Sequence, residues 1–152
     1  MGTRYDGSKQ EIRALNAFIT LSRASESIHA TLAGQLGRHE LTTGQFGVLE
    51  ALYFLGPQSQ VQLGRKLLRT AGNVTVVVDN LERRGLITKS RSKEDRRRYV
   101  VRLTEAGRQK IDRLFPEHAR HIAALFSVLS DQQQEQLIEI CRSLGHHAAG
   151  TA

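Results

Sequence analysis

The residues whose types and spacing could support chemistry are concentrated in the segment 83–102, which is strongly basic. This segment holds nine of the 22 Lys and Arg residues and two of the 15 Asp and Glu residues, so it carries the whole net charge of +7. A basic run is often an ordinary solvated surface. Segregation of all the excess charge instead favours a surface that binds the phosphates of nucleic acid.

The sharpest feature of this segment is the sequence Asp95-Arg96-Arg97-Arg98, which lies between two predicted strands. Arginine side chains on a short loop can enter a narrow minor groove, where the negative potential of DNA is concentrated. Asp95 would repel phosphates. Its position is explained if its carboxylate holds the guanidinium of Arg97 in place, so Asp95, Arg96 and Arg97 are all predicted to serve DNA binding.

A second candidate surface lies on a predicted helix over 71–84. Its apolar residues recur at i, i+3, i+4 and i+7, the spacing of a buried helix face. They are Val74, Val77, Val78 and Leu81. Three consecutive valines favour a strand as the competing interpretation, because β-branched residues are enriched in strands. Gly85 suits the position that follows a helix C-terminus and favours the helix.

The opposite face of this helix carries residues that can read DNA. Asn73 can pair with an adenine through two hydrogen bonds, Thr75 can bond a base or a phosphate, and Val76 can contact a thymine methyl group. Thr70 and the free backbone N–H groups near Gly72 suit a phosphate. Each position also has an alternative interpretation as a helix cap or an ordinary surface residue.

Neither a metal site nor an enzyme active site is predicted. His118 and His121 are spaced i, i+3 on a helix, but no acidic or cysteine partners complete a zinc site. The sequence has no Walker loop, G-x-S-x-G elbow or H-E-x-x-H motif, so we expect no enzyme activity and no cofactor. The single cysteine, Cys141, lies on an apolar stripe, where a buried and unreactive thiol is expected.

The elements that must position these residues begin with helices. Apolar residues at spacings of three and four predict a long helix over about 8–36. A second helix is predicted to start at Thr42 or Thr43 and to end at Gly56-Pro57. A third, short helix follows a capping box at Ser59.

The wing and the C-terminal helices complete the predicted order. Strands over 86–91 and 98–103 flank the charged tip. A fifth helix follows Thr104, and Pro116 should bend or interrupt it. A sixth helix opens with a capping box at Ser130, and the tail after Gly145 is expected to fray.

This order predicts a mainly α fold with a small β-wing (α+β), a winged helix-turn-helix. The DNA-binding core covers about 42–104, with the helix-turn-helix at about 60–84 and the wing at about 86–103.

Several motifs in register resemble the MarR family of winged helix-turn-helix proteins. Gly72-Asn73-Val74-Thr75 and the run Asn80–Ile87 are similar to its recognition helix and first wing strand. Asp95-Arg96-Arg97 resembles the family's D-x-R wing motif, and Leu103-Thr104-Glu105-Ala106-Gly107 resembles its L-T-x-x-G segment. The resemblance covers about residues 12–144.

The resemblance implies a homodimer, held by helices over about 8–36 and 105–145, with the whole unit spanning 8–145. It also implies that Arg97 enters the minor groove and that phenolic or similar small molecules release the DNA. The sequence of this predicted recognition helix is similar to that of a branch of the family that responds to quinones and phenols. The reactive cysteine that oxidation-sensing branches carry near the start of the first helix has no counterpart here.

A ligand pocket is expected where the dimerisation helices meet the winged lobe. The candidate residues there are Phe18, His39 and Phe46, because an apolar pocket with one or two polar groups suits an aromatic carboxylate or phenol. Plain core packing is the alternative for both phenylalanines.

The sequence therefore predicts a sequence-specific, DNA-binding transcriptional regulator. We expect a homodimeric repressor of a palindromic operator on double-stranded DNA, released by a small aromatic ligand. The alternative is an architectural DNA-binding protein without a ligand response. The polar N-terminus and the lack of a long apolar run predict a cytoplasmic protein that does not enter a membrane.

Overall fold

The computed structural model describes residues 2–67, 71–91 and 99–150, which form six helices and one small antiparallel sheet. The elements, in chain order, are α1 (Lys9–Gly37), α2 (Thr43–Leu55), β1 (Gln58–Ser59), α3 (Gln60–Lys66), α4 (Ala71–Arg83), β2 (Ile87–Arg91), β3 (Tyr99–Leu103), α5 (Glu105–Phe126) and α6 (Asp131–Gly150). The predicted fold class, mainly α with a small β-wing, is confirmed.

Local capping chemistry sets where the helices begin. Ser8, Thr42 and Ser59 each form a capping box, in which the cap side chain accepts the backbone N–H of the third helical residue. The side chain of that third residue in turn accepts the backbone N–H of the cap, so two otherwise unpaired donors are satisfied. Ser130 and Gln133 make the same pair of bonds before α6. The predicted helix starts at Thr42, Ser59 and Ser130 are confirmed.

A glycine with a left-handed backbone follows each of the helices α2 and α4. Gly56 follows α2 with φ 73° and Gly85 follows α4 with φ 68°. A left-handed backbone has little steric cost for glycine. At Gly85 it allows the Leu86 N–H to reach the Leu81 carbonyl at 3.0 Å, which closes the end of α4 and directs the chain into β2.

The sheet has the strand order β1-β3-β2, and all its pairs are antiparallel. In the wing, Ile87 pairs with Leu103, Lys89 with Val101 and Arg91 with Tyr99. β1 was not predicted, because a two-residue strand has no alternation that a sequence pattern could reveal. It ties the start of α3 to the wing.

One hydrophobic core lies beneath α4. Its most buried side chains come from all of α1 to α5 and from the wing, and each is at most 1% exposed: Leu36, Val48, Leu49, Leu63, Val74, Val78, Leu81, Ile87, Val101 and Ile111. The predicted buried stripe of α4 is confirmed at Val74, Val78 and Leu81, and Val77 packs against the same core while partly exposed. The helix, not the competing strand, is what 71–83 forms.

The sequence predicts that Pro116 bends or interrupts the fifth helix, and the predicted interruption is wrong. α5 runs without a break from Glu105 to Phe126. Proline removes one hydrogen bond to the carbonyl four residues earlier. That residue is Asp112, which is exposed, so water can satisfy the carbonyl and the helix continues.

The chain divides into two compact units, residues 1–118 and residues 119–152. In the second unit Gln134 donates to the carbonyls of Phe126 and Leu129, which closes the turn between α5 and α6. Two expectations fail there. α6 continues to Gly150 without fraying after Gly145, and Cys141 is exposed although an apolar stripe predicted burial. In the single chain only Leu137 of that stripe is partly covered, and Leu144 is 52% exposed.

Gly107 lies where α5 crosses the start of the wing. A Cβ at this position would collide with the backbone carbonyl oxygen of Leu86, which also accepts the Thr104 N–H at 3.1 Å. Gly107→Ala should therefore lower the free energy of unfolding by about 3 kcal/mol, since the obstacle is backbone and cannot rotate away. Chemical denaturation measures the change.

The matched control is Gly34→Ala on α1, where the added Cβ meets open space. There the better helix propensity of alanine should leave stability unchanged or raise it by up to about 1 kcal/mol. Equal effects of the two substitutions would contradict the close approach at Gly107.

Candidate nucleic-acid interface

The exposed face of α4 is where the structure places the predicted base-reading residues. Asn73 and Thr75 are exposed, and Val76 is 67% exposed. Val74 and Val78, on the other side of the helix, are at most 1% exposed. An apolar side chain held this far into solvent gains nothing from water, so Val76 is suited to contact with a partner.

The remaining predicted DNA-binding residues divide into two groups. Gly72 lies in the first turn of α4. Thr70, Asp95, Arg96 and Arg97 lie outside the described residues, so their predicted roles stay predictions. The strands that lead to the wing tip are described, and they carry exposed basic residues at Arg91 and Arg102. Arg102 donates to the Ser90 hydroxyl across the two strands at 3.1 Å.

The C-terminal half of α4 is engaged by other parts of the protein. Asn80 accepts a hydrogen bond from the Gln45 side chain of α2 at 2.7 Å. Asp79 forms an ion pair with Lys89 of β2. Both residues lie outside the buried stripe of Val74, Val78 and Leu81 and are only partly exposed. The surface of α4 that remains for bases is therefore concentrated toward its N-terminal turns.

Lys89 joins the wing to α4. Its Nζ lies 2.5 Å from Asp79 Oδ1 and 2.9 Å from Glu82 Oε2, and its backbone N–H donates to Glu82 Oε1 at 3.0 Å. The hydrogen bonds to Asp79 and Glu82 raise the pKa of Lys89 above its usual value, because they favour the charged ammonium. Sequence reasoning counted Lys89 with the phosphate-binding charges and missed this cluster. The available signal was its place two residues after the buried Ile87, on the same side of β2.

A second set of polar contacts holds the other side of α4. The guanidinium of Arg84 donates to the backbone carbonyl of Glu40 at 2.7 Å, in the loop between α1 and α2. Glu40 adopts a left-handed backbone with φ 58°. Gln45 caps α2 through Thr42 while its amide N–H reaches Asn80. The C-terminal end of α4 is thus held by the loop that follows α1 and by the start of α2.

A cavity of about 340 Å³ lies beside this loop, between the end of α1 and α5. Its lining residues are His39, Lys110, Arg113, Leu114 and Glu117. The His39 ring lies 3.3 Å from the Glu117 carboxylate. The lining therefore offers two side chains that carry positive charge, the Glu117 carboxylate in contact with the His39 ring, and one apolar residue, the almost fully buried Leu114.

The three predicted ligand residues are not gathered around this cavity. His39 lines it. Phe46 is 4% exposed and packs in the core, with its ring 4.3 Å from the ring of His118. Phe18 is 67% exposed on α1. Sequence reasoning missed Lys110 and Arg113, whose signal is their i, i+3 spacing on one side of α5.

The buried His118 has a protein partner. Its Nδ1 lies 3.0 Å from Gln35 Oε1, while the amide nitrogen of Gln35 has no partner among the described residues. Within 2–67, 71–91 and 99–150, no three His, Cys, Asp or Glu side chains are grouped as metal ligands would be. No described helix is long and apolar enough to cross a bilayer.

The bond between Gln45 and Asn80 leads to a prediction about stability. Gln45→Ala removes the capping bond at Thr42, the bond to Asn80 and the longer bond that Gln45 accepts from Arg84 at 3.4 Å, so it should lower the free energy of unfolding by about 2 kcal/mol. Gln62→Ala is the control, because Gln62 makes the same capping bond to Ser59 at the start of α3. That substitution should cost about 1 kcal/mol. If both cost the same in urea denaturation, the bond to Asn80 contributes nothing.

Comparisons with known proteins agree with this geometry. The MarR family profile matches residues 41–99, which span α2, the helix-turn-helix and the first wing strand, β2, and end at the first residue of β3. Two relatives come from Bacillus subtilis strain 168. The HTH-type transcriptional regulator MhqR is 38% identical and aligns with 90% of this chain and 94% of its own length. The uncharacterized HTH-type transcriptional regulator YkoM is 36% identical over 95% of each chain.

A solved structure extends the match to three dimensions. BpsR of Bordetella bronchiseptica, whose DNA binding is regulated by 6-hydroxynicotinic acid, superposes with a TM-score of 0.78. It is 26% identical, and the match covers 85% of this chain and 98% of that one. With the exposed face of α4, the adjoining wing and these relatives, the chain belongs to the MarR family of DNA-binding transcriptional regulators.

Proposed function

We propose that the protein represses transcription by binding a palindromic operator as a homodimer, and that a small aromatic acid or phenol releases it. The observation that carries the DNA-binding part is the exposed N-terminal face of α4, with Val76 67% exposed above a fully buried valine and leucine face. A helix about 10–12 Å across fits the major groove, and its N-terminal residues reach the base edges first.

In this proposal the parts of the interface have different tasks. Asn73, Thr75 and Val76 contact bases, while Thr70 and the backbone at Gly72 contact a phosphate. The wing continues from β2 and β3 to its tip. There Arg97 and Arg96 enter the minor groove, and Asp95 orients the guanidinium of Arg97.

A second copy of the chain is the proposed partner of the helices that flank the winged unit. On α1, Leu15 and Leu21 are partly exposed and Phe18 is 67% exposed. On α6, Ile140 and Leu144 are spaced i, i+4 on one side of the helix and are 64% and 52% exposed. Contiguous exposed apolar side chains of this kind mark protein–protein contact surfaces. A two-fold dimer places two recognition helices on two half-sites, which is why a palindrome is expected.

The base-reading role is tested by measuring affinity for the operator and for a random duplex of equal length. Asn73→Ala and Val76→Ala should each weaken operator binding about 10-fold, and leave random binding nearly unchanged, because each removes a contact worth about 1–3 kcal/mol of discrimination. Thr88→Ala, an exposed change on β2, is the control. Equal loss on both duplexes would contradict base reading.

The same assay examines the wing tip. Arg97→Ala should weaken binding by about 10-fold or more. Asp95→Asn should weaken it as well, although it removes a negative charge. Tighter binding by Asp95→Asn would refute the orienting role. An architectural protein would differ from all of this, because its wild type would show little preference beyond A·T content.

The ligand part of the proposal is supported by the cavity at His39. Lys110 and Arg113 can pair with a carboxylate, and Leu114 offers one apolar contact to a ring. The DNA binding of BpsR responds to an aromatic acid of this kind. A ligand that prefers the DNA-incompetent state about 100-fold can shift the equilibrium by at most about 2.7 kcal/mol, enough to empty an operator held near its threshold.

Titration of salicylate, 6-hydroxynicotinate and simple quinones against the protein–operator complex tests this. His39→Ala and Arg113→Met should each raise the concentration for half-release about 10-fold, because each removes one polar contact. Lys9→Met, at the far end of α1, is the charge-matched control, and Phe46→Ala tests the other predicted residue. Lack of release at millimolar concentration, or release that neither cavity substitution changes, would exclude this pocket.

A further inference from the structure

We propose that Lys89 is a positioning residue for operator recognition, which fixes the wing at one angle to the recognition helix and does not itself bind a phosphate. The inference rests on the proposed interface of α4 and the wing. It assigns a role to a lysine that the charge pattern of the sequence placed among the phosphate-binding residues.

The geometry shows a clamp between two elements. Asp79 and Glu82 are spaced i, i+3, so both carboxylates lie on the same side of α4. The ammonium of Lys89 lies within 2.9 Å of both, and its side chain is 22% exposed. The third bond, from the Lys89 backbone N–H to Glu82, holds the main chain of β2 as well as the side chain.

The position of the clamp along the wing determines what it can do. α4 and β2 are already connected at the turn, where Gly85 and Leu86 donate to the carbonyls of Glu82 and Leu81. The base of the wing is also held by packing, because Ile87 is buried in the core and β3 pairs with β1 as well as with β2. Apolar packing is not directional, so it leaves the strand some freedom to tilt. Lys89 is the middle residue of β2 and pairs with the fully buried Val101, so its short polar bonds add a directional attachment farther from the turn and restrict the angle between β2 and α4.

The charges of the cluster argue against a phosphate contact by Lys89. One ammonium and two carboxylates have a net charge of −1, so the group as a whole repels a phosphate. To bind DNA, Lys89 would have to leave both carboxylates unpaired beside a polyanion. Retaining the ion pairs in the complex avoids that cost, and the wing then meets the DNA with its angle already set.

A fixed angle matters most for specific binding. The operator is recognised only when α4 and the wing tip reach their grooves together, whereas contacts with a random duplex require only positive charge near the phosphates. Loss of the clamp should therefore reduce the affinity for the operator far more than the affinity for random DNA. This ratio distinguishes positioning from a phosphate contact.

The test uses the full-length protein, an operator duplex and a random duplex, with affinities measured over a range of salt concentrations. Lys89→Met keeps the aliphatic stem and removes the ammonium. It should weaken operator binding about 10-fold and random binding less than about twofold. Lys89→Arg, which can still bridge the two carboxylates, should restore most of the operator affinity.

For the double variant Asp79→Asn/Glu82→Gln, the two explanations predict changes of operator affinity in opposite directions. Simple electrostatics expects tighter binding to both duplexes, since two negative charges are lost and Lys89 is released. The clamp instead predicts about 10-fold weaker operator binding, with no steeper salt dependence. Tighter operator binding, with a salt slope steeper by about 0.9, would make Lys89 a phosphate ligand and overturn the proposal.

Two controls separate the possible failures. Arg91→Met, on the same strand, should weaken binding to both duplexes alike and reduce the salt slope by about 0.9, as expected for a phosphate contact. Asn73→Ala reports on the interface itself. If it weakens operator binding while Lys89→Met does not, the clamp is wrong and the interface stands. If neither changes operator binding, the proposed interface fails and the clamp with it. All affinities are measured well below the melting temperature of each variant.

Discussion

The burial of one face of α4 is the constraint on which the rest of the site depends. Val74, Val78 and Leu81 are at most 1% exposed and pack on a core supplied by α2, α3, the wing and α5. Burying three such side chains contributes several kcal/mol, on the order of 1.5–3 for each. No rotation of the helix about its axis keeps this contribution, so Asn73 and Val76 must point away from the core. The apolar pattern thus selects the residues that meet a partner, although none of them takes part in that choice.

Hydrophobic burial fixes the rotation of α4, while polar contacts fix its direction. Apolar contacts are not directional, and a helix can tilt on them at small cost. The ion pairs of Lys89 on one side and the bonds of Asn80 and Arg84 on the other have short, defined lengths. They lie on opposite flanks of the helix C-terminal half. The combination explains how a short helix on a small core can present its first turns in a constant orientation.

How much could be predicted from the sequence depends on how far apart in the chain the interacting residues are. The capping boxes at Ser59 and Ser130 involve residues three apart, and a helical stripe is visible within one or two turns, so both features can be predicted from the sequence. The exposed face of α4 followed from that stripe. Lys89 could not be separated from its basic neighbours, because its partners are seven and ten residues away across a turn. The two-residue β1 depends on a strand more than 40 residues later in the chain.

The same reasoning explains the other differences. An aromatic side chain such as that of Phe46 suits a ligand pocket and a hydrophobic core equally well. Its place in the core follows from packing against the ring of His118, which the sequence does not reveal. Cys141 lies on an apolar stripe, which is the pattern of a buried helix face. Whether that face is buried depends on a partner surface, which the stripe does not identify. The place of Lys110 and Arg113 in the cavity could not be predicted, because it depends on the loop after α1 lying beside α5. For each residue the missing information was the identity of a neighbour distant in sequence.

In α4 the C-terminal half contacts other elements of the protein, whereas the N-terminal half carries outward-facing residues. This difference limits how the protein could be re-engineered. Asp79, Asn80, Glu82 and Arg84 are matched to partners on β2, on α2 and in the loop after α1, whereas Asn73 and Val76 face outward. A recognition helix transplanted whole from a relative would bring side chains that do not suit Lys89, Gln45 or Glu40. The exchangeable unit is therefore shorter than the helix, and libraries that seek a new DNA sequence should vary the first two turns and leave the last two intact.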